Sequence, residues 1–245
     1  MTPEHLLLMA LCVLIVAFLY SCVGHAGASG YIAVMSLFSM APAAIKPTAL
    51  VLNILVACLG TYQFWRAGHF SWRLFWPFAL LSIPFAFLGG YLNLPSHVFK
   101  IIVGIVLLLS AARFLMRPPA EREPYEPSRP VALGVGGILG LLSGLTGTGG
   151  GIFLTPLVIF MHWARTKTAS AVSALFILVN SISGLLGNFS ATKTLPGFAL
   201  PLAVAAVLGG AVGSYLGSRR FPVTTIKRVL AVVLTIAGFK LIFTQ

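Results

Sequence analysis

Residues 24–30 read GHAGASG, and residues 144–151 read GLTGTGGG. Both strings lie between apolar runs, and two kinds of chemistry fit the first of them. Gly27-Ala28-Ser29-Gly30 spells GxSG, in which Ser29 would be a nucleophile served by a histidine, giving a membrane-embedded hydrolase. Alternatively, the glycines break a helix and leave backbone N–H groups at the start of the next one. Such a helix start binds anions, because its first N–H groups lack partners and its dipole is positive there.

The elements around these strings favour the second chemistry. Of the 245 residues 58% are hydrophobic and 8% charged, whereas a soluble domain carries roughly 25% charged residues. The chain therefore needs lipid as its solvent. Apolar runs extend over residues 6–23, 31–40, 48–65, 74–92 and 98–116, then over 131–145, 152–161, 169–189, 197–216 and 223–243. Residues 31–40 and 152–161, about 15 Å at helical rise, are too short to cross a bilayer core. Glycine strings before two half-length helices predict two breaks inside the membrane, which an inverted repeat would bring together as one binding site near the midplane. Non-helical backbone survives there only when it is buried in protein or lines a polar cavity. The competing reading, close glycine packing between helices, is assigned to Gly89, Gly90, Gly209, Gly210, Gly213 and Gly217.

The stretch RPPAEREPYEPSRP, residues 117–130, holds three of the four acids and reads as a linker. It divides the chain into a first membrane repeat, residues 1–116, and a second, residues 131–245. Residue identities support the repeat. Gly24, Gly27 and Gly30 match Gly144, Gly147 and Gly150 at an offset of 120. Pro77, Gly89 and Tyr91 match Pro201, Gly213 and Tyr215 at an offset of 124. Pro95 and Lys100 match Pro222 and Lys227 at 127.

Charge predicts the orientation. If the first two segments of each half form a re-entrant hairpin, each half makes an odd number of crossings. Twelve of the sixteen Lys and Arg then fall on the linker side, and only Lys46, Lys100, Lys193 and Lys240 fall opposite. If that pair made one crossing, the sixteen would split evenly. The expected fold is an all-α integral membrane protein of two inverted repeats, with about 8–10 membrane segments. Each repeat is a broken first hairpin followed by three spanning helices. The linker is expected to be cytoplasmic and both termini outside, in the cytoplasmic membrane of a prokaryote. Leu6–Leu19 resembles a signal-peptide core, but no Lys or Arg precedes it, so it reads as the first membrane segment.

Composition also limits the chemistry. All four acids are Glu, at positions 4, 121, 123 and 126, and none lies in an apolar run beyond the first turn of the first segment. Carboxylate coordination of a cation at membrane depth is therefore not expected, and the cargo should be an anion. The net charge of +12 is scattered between apolar runs, which argues against nucleic acid. Cys12, Cys22 and Cys58 form no C-x-x-C and indicate neither disulfides nor a metal site. No metal, cofactor or catalytic residue is expected. The candidate substrate-binding residues are Gly24, His25, Gly27, Ser29 and Gly30 in the first break, and Thr146, Gly147, Thr148, Gly149 and Gly150 in the second. Asn53 and Asn180, polar groups in the apolar runs that follow the breaks, complete the set; each would face the anion or bond to a neighbouring helix. His25 would donate to an anion, carry a proton, or bond to a loop carbonyl.

The Ser29 string resembles the GxSG of rhomboid intramembrane proteases. However, its match at an offset of 120 is Gly149, and the later histidines, His69, His97 and His162, sit at segment ends. The chain as a whole resembles the TauE/SafE family of sulfite exporters. The resemblance is carried by the glycine string at 144–151, its degenerate copy at 24–30, the turn RAGHFSWR at 66–73 and the run FILVNSISGLLGN at 176–188. It implies membrane helices in two halves and outward movement of sulfite or a sulfonate such as sulfoacetate. The alternatives are an uptake permease, an anion channel and the serine hydrolase.

Overall fold

The computed structural model describes residues 3–22, 24–115, 123–193, 199–217 and 223–243. All regular structure among them is α-helical. The first half contains α1 (Pro3–Cys22), α2 (Ala28–Leu37), α3 (Pro42–Arg66), α4 (Trp72–Tyr91) and α5 (Ser96–Leu115). The second contains α6 (Arg129–Thr146), α7 (Gly151–Phe160), α8 (Thr166–Thr192), α9 (Ala199–Gly217) and α10 (Val223–Phe243). Among the described residues, five helices, α1, α3, α4, α6 and α8, are long and apolar enough to cross a bilayer. The protein is an all-α integral membrane protein.

Local chemistry sets the helix limits. Pro42 and Pro130 open α3 and α6, where a missing N–H costs nothing. The Ser71 hydroxyl accepts from the Leu74 N–H at 3.4 Å and caps α4. Leu200, Val204, Leu208 and Val212, spaced by four on α9, point outward and are more than half exposed. In water such a stripe would be a liability; against acyl chains it needs no cover.

Glycine seams hold the bundle together. Gly136, Gly140 and Gly144 of α6 lie directly against the backbones of Phe78, Ser82 and Ala86 of α4, so these helices run parallel. Gly209 and Gly213 of α9 meet Leu14 and Phe18 of α1 in the same way. A Cβ at any of these glycines would collide with a carbonyl oxygen. Small residues let helices approach closely, and in lipid that packing drives association. By contrast, α3 and α8 run antiparallel: Gly60 faces Ala174, and seven residues earlier on α3, Asn53 reaches Ser181, seven later on α8. Helices α5 and α10 are antiparallel too, with Gly104 against Ile242 and Leu108 against Gly238.

Candidate functional site

Each half contains one helix break, and the two are built alike. Helix α1 ends in a left-handed turn at Gly24 (φ 79°), with Gly24 N–H donating to the Ser21 carbonyl and His25 N–H to the Tyr20 carbonyl. This pair of bonds is a Schellman ending. Helix α6 ends at Gly147, also at φ 79°, with its N–H on the Ser143 carbonyl. Helices α2 and α7 then start from Gly27 (φ 103°) and Gly150 (φ 77°). A side chain at these two positions would be strained, which is why glycine stands there. Both N-caps are glycine, so neither start has a side-chain cap. Both short helices are ten residues long, and both close through left-handed residues, Ser39 and His162.

These features coincide at one offset. Gly24 corresponds to Gly147, Gly27 to Gly150 and Ser39 to His162, an offset of 123. The offset of 120 drawn from residue identity is displaced by about one turn, because it paired glycines with different tasks. Gly144 belongs to the α4–α6 seam, and Gly30 lies inside α2 against Val16 and Tyr20. The offset of 124 between α4 and α9 agrees with the packing: Gly89 meets the Leu141 carbonyl, and Gly213 meets that of Phe18.

The breaks contact different stretches of the α3–α8 pair. At the first, Gly24 lies against Ser170 of α8 and Phe64 of α3. At the second, Gly147 lies against the Lys46 backbone, and a Cβ on Gly149 would be 2.6 Å from Asn53 Nδ2 and 3.0 Å from Ser181 Oγ. Lys46 and Ser170 are themselves 124 residues apart, so each break touches the same place on the other half's long helix. Phe64 and Asn53 are separated by about 16 Å of helix, at 1.5 Å per residue. The two breaks therefore flank the α3–α8 crossing, each with its own set of neighbours, where the sequence reading expected them to share one midplane site.

The second break is the more polar. Asn53 is fully buried and donates to Ser181 Oγ at 3.3 Å, while its Oδ1 has no partner. The hydroxyls of Ser143 and Ser173 are buried and also lack partners. The Cβ of Ser143 would be 3.3 Å from a Cβ on Gly150, and the Ser173 carbonyl is equally close to that of Gly151. Asn180 donates to the Phe176 carbonyl at 2.9 Å and leaves its Oδ1 without a partner. Buried polar groups without partners are uncommon, and a cluster of them marks a place for water or a ligand. Thr146 and Thr148 bond to each other at 2.9 Å.

At the first break, His25 is partly exposed and lines a cavity of about 10 Å³ with Ser21, Gly60 and Ser214. That is room for about one water. Ser29 lies elsewhere, in the first turn of α2, buried and 2.8 Å from the Tyr20 hydroxyl. Its bonding partner is thus a tyrosine, and the residue contributes to the α1–α2 contact.

A sequence profile described as "Sulfite exporter TauE/SafE" matches residues 9–241. The chain belongs to the TauE/SafE family. It is 39% identical over 240 residues to "Probable membrane transporter protein y4hK" of Sinorhizobium fredii, covering 96% of this chain and 97% of the relative. It is 25% identical over 248 residues to "Probable membrane transporter protein YjnA" of Bacillus subtilis, covering 94% and 96%. No solved structure matches. This TauE/SafE protein is a membrane transporter, not an enzyme.

Lys46 belongs in the description of the second break, although the sequence presents it only as a topology charge. It is 6% exposed, and its ammonium donates to the carbonyls of Gly89, Gly90 and Leu92 at 2.9–3.2 Å. All three protons are thereby used on the C-terminal end of α4, where a cation is favoured. Lys46 anchors α4 to the break and has no proton left for an anion. Ser143, Ser170 and Ser173 also escaped the sequence reading, since small polar residues in an apolar helix look like packing until their neighbours are known.

Proposed function

We propose that this TauE/SafE transporter exports a small sulfur-containing oxyanion, sulfite or an organosulfonate such as sulfoacetate, across the cytoplasmic membrane. The anion would be held at the helix starts behind Gly27 and Gly150. The observation that carries this reading is the second break. Asn53, Ser143 and Ser173 lie around Gly149, Gly150 and Gly151 at an uncapped, buried helix start, and Asn53 Oδ1 and the two serine hydroxyls lack partners. Backbone N–H groups, serine hydroxyls and the Asn53 amide are donors suited to a pyramidal or tetrahedral oxyanion. Turning the Asn53 amide by 180° would send its Nδ2 toward the anion and let Ser181 donate to Oδ1. His25 and Ser170 would offer donors at the first break.

The two halves are proposed to be inverted repeats. Antiparallel contact between the corresponding helices α3 and α8, and between α5 and α10, supports a two-fold axis in the membrane plane. The exchange of contacts between Gly24–Ser170 and Gly147–Lys46 supports the same axis. With the linker in the cytoplasm, one break would lie toward each membrane face, with the α3–α8 crossing between them. Alternating access would then open one break at a time. An anion leaving an inside-negative cell gains about 2.3 kcal/mol per charge per 100 mV, so export needs no coupled ion.

The deciding experiment is flux of sulfite and sulfoacetate from proteoliposomes under an imposed potential, with and without a pH gradient. Flux that follows the potential alone supports the uncoupled exporter. Flux that requires the pH gradient replaces it with a proton-coupled one. Absence of flux for both anions removes the substrate assignment.

A further inference from the structure

A second basic concavity lies on the linker face, apart from both breaks. It is an open cavity of about 320 Å³ lined by the first turns of α4, α6 and α8. Three helix starts, each positive by its dipole, thus border one space. Three guanidiniums, those of Arg73, Arg129 and Arg165, share it with a single carboxylate, Glu126, leaving a formal charge of +2. Its inner wall is aromatic: Trp163 is buried, and Arg129 lies over the Trp76 ring, 5.8 Å from its centroid. A guanidinium stacked on an indole is held in place while its N–H edge stays available.

Glu126 occupies part of this space. Its carboxylate is 2.8 Å from Arg73 Nε, and the preceding residue, Tyr125, donates its N–H to the His162 carbonyl at 3.0 Å. The end of the linker is therefore tied down over the cavity with a carboxylate inside it. Both members of the ion pair are more than half exposed, and exposed pairs contribute little, so the carboxylate is easily displaced.

We propose that this cavity is an accessory oxyanion site, taking a small anion with a sulfonate, phosphate or carboxylate head, and that Glu126 is its tethered competitor. Arg129 and Arg165 receive the incoming head, and Arg73 joins them when Glu126 leaves. The site does not depend on the transport reading.

The test is binding of sulfate and of sulfoacetate to the full chain in neutral detergent, followed by tryptophan fluorescence, since Trp76 and Trp163 line the cavity. Saturable binding is expected. Glu126→Gln should tighten it severalfold, and Arg165→Gln or Arg129→Gln should weaken it about tenfold, the usual effect of losing a charge-assisted bond. Lys193→Gln, at the far end of α8, should leave it unchanged, which separates the effect of these arginines from that of a basic residue elsewhere. Absence of saturable binding in both wild type and E126Q overturns the proposal, as does E126Q binding no tighter than wild type. A repeat in phosphatidylcholine nanodiscs, with and without phosphatidylglycerol, identifies the source of the head group. Competition by the anionic lipid assigns a lipid phosphate, and its absence assigns a soluble anion.

Discussion

At the scale of single residues, Gly149 and Asn53 are the most sensitive probes of the second break. Gly149 sits at φ 75° with Asn53 Nδ2 in the place where its Cβ would go. Gly149→Ala is therefore expected to abolish flux, by straining the turn and pushing Asn53 away from the helix start. Gly134, on α6 with nothing within 4 Å of its Cβ position, is the control; Gly134→Ala should transport as wild type. Asn53→Ala removes one donor to a charged ligand and should raise KM for the anion roughly tenfold with the protein still folded. Asn53→Asp places a negative charge against the anion and should eliminate uptake of label into loaded vesicles. Ser29→Ala forfeits the bond to Tyr20 and should cost about 1 kcal/mol of stability while flux persists. Loss of flux in that variant with unchanged stability would move Ser29 into the binding set.

Helix pairs carry a different kind of prediction. The α4–α6 seam places three glycines of α6 against α4 carbonyls. Gly140→Ala must separate the helices, at a cost of about 1–3 kcal/mol. Thermal unfolding in detergent should show a lower midpoint, whereas Gly137→Ala, whose Cβ would make ordinary contact at 3.6 Å, should not shift it. Lys46 belongs to this scale too, because it ties α3 to the end of α4. Lys46→Met leaves the carbonyls of Gly89, Gly90 and Leu92 without their donor, and the unfolding midpoint should fall further than for Gly140→Ala. An unchanged midpoint would mean that water replaces the ammonium there.

For the whole molecule the prediction concerns sidedness. Twelve of the sixteen basic residues are assigned to the linker face, and the ion pair of Arg73 with Glu126 joins the first turn of α4 to the linker on one side of the bundle. Lys240, near the end of α10, donates to the Leu37 carbonyl at 2.7 Å beside the α2–α3 turn, which the same assignment puts on the opposite side. A single cysteine introduced by Tyr125→Cys, with Cys12, Cys22 and Cys58 replaced, should react with a membrane-impermeant thiol reagent in inside-out vesicles but not in intact cells. A cysteine at Ser39 should show the reverse. Labelling of both from one side would exclude the inverted arrangement.

Much of this architecture was legible in the amino acids. The ten helices among the described residues and the two glycine-rich breaks followed from apolar runs, proline and glycine, because in lipid each helix must satisfy its own backbone and announces itself as an apolar run. What depended on distance was hidden. Identity alone paired Gly24 with Gly144, although Gly24 turns the chain and Gly144 packs against a neighbouring helix. The same residue type serves both purposes, and only φ and the surrounding atoms tell them apart. Asn53 and Ser143, far apart in the chain, lie against the neighbouring glycines Gly149 and Gly150, and Lys46 spends its charge on α4 carbonyls. Those pairings come from the way helices cross, a property of side-chain volume at many contacts at once, and so the tertiary structure alone decided them.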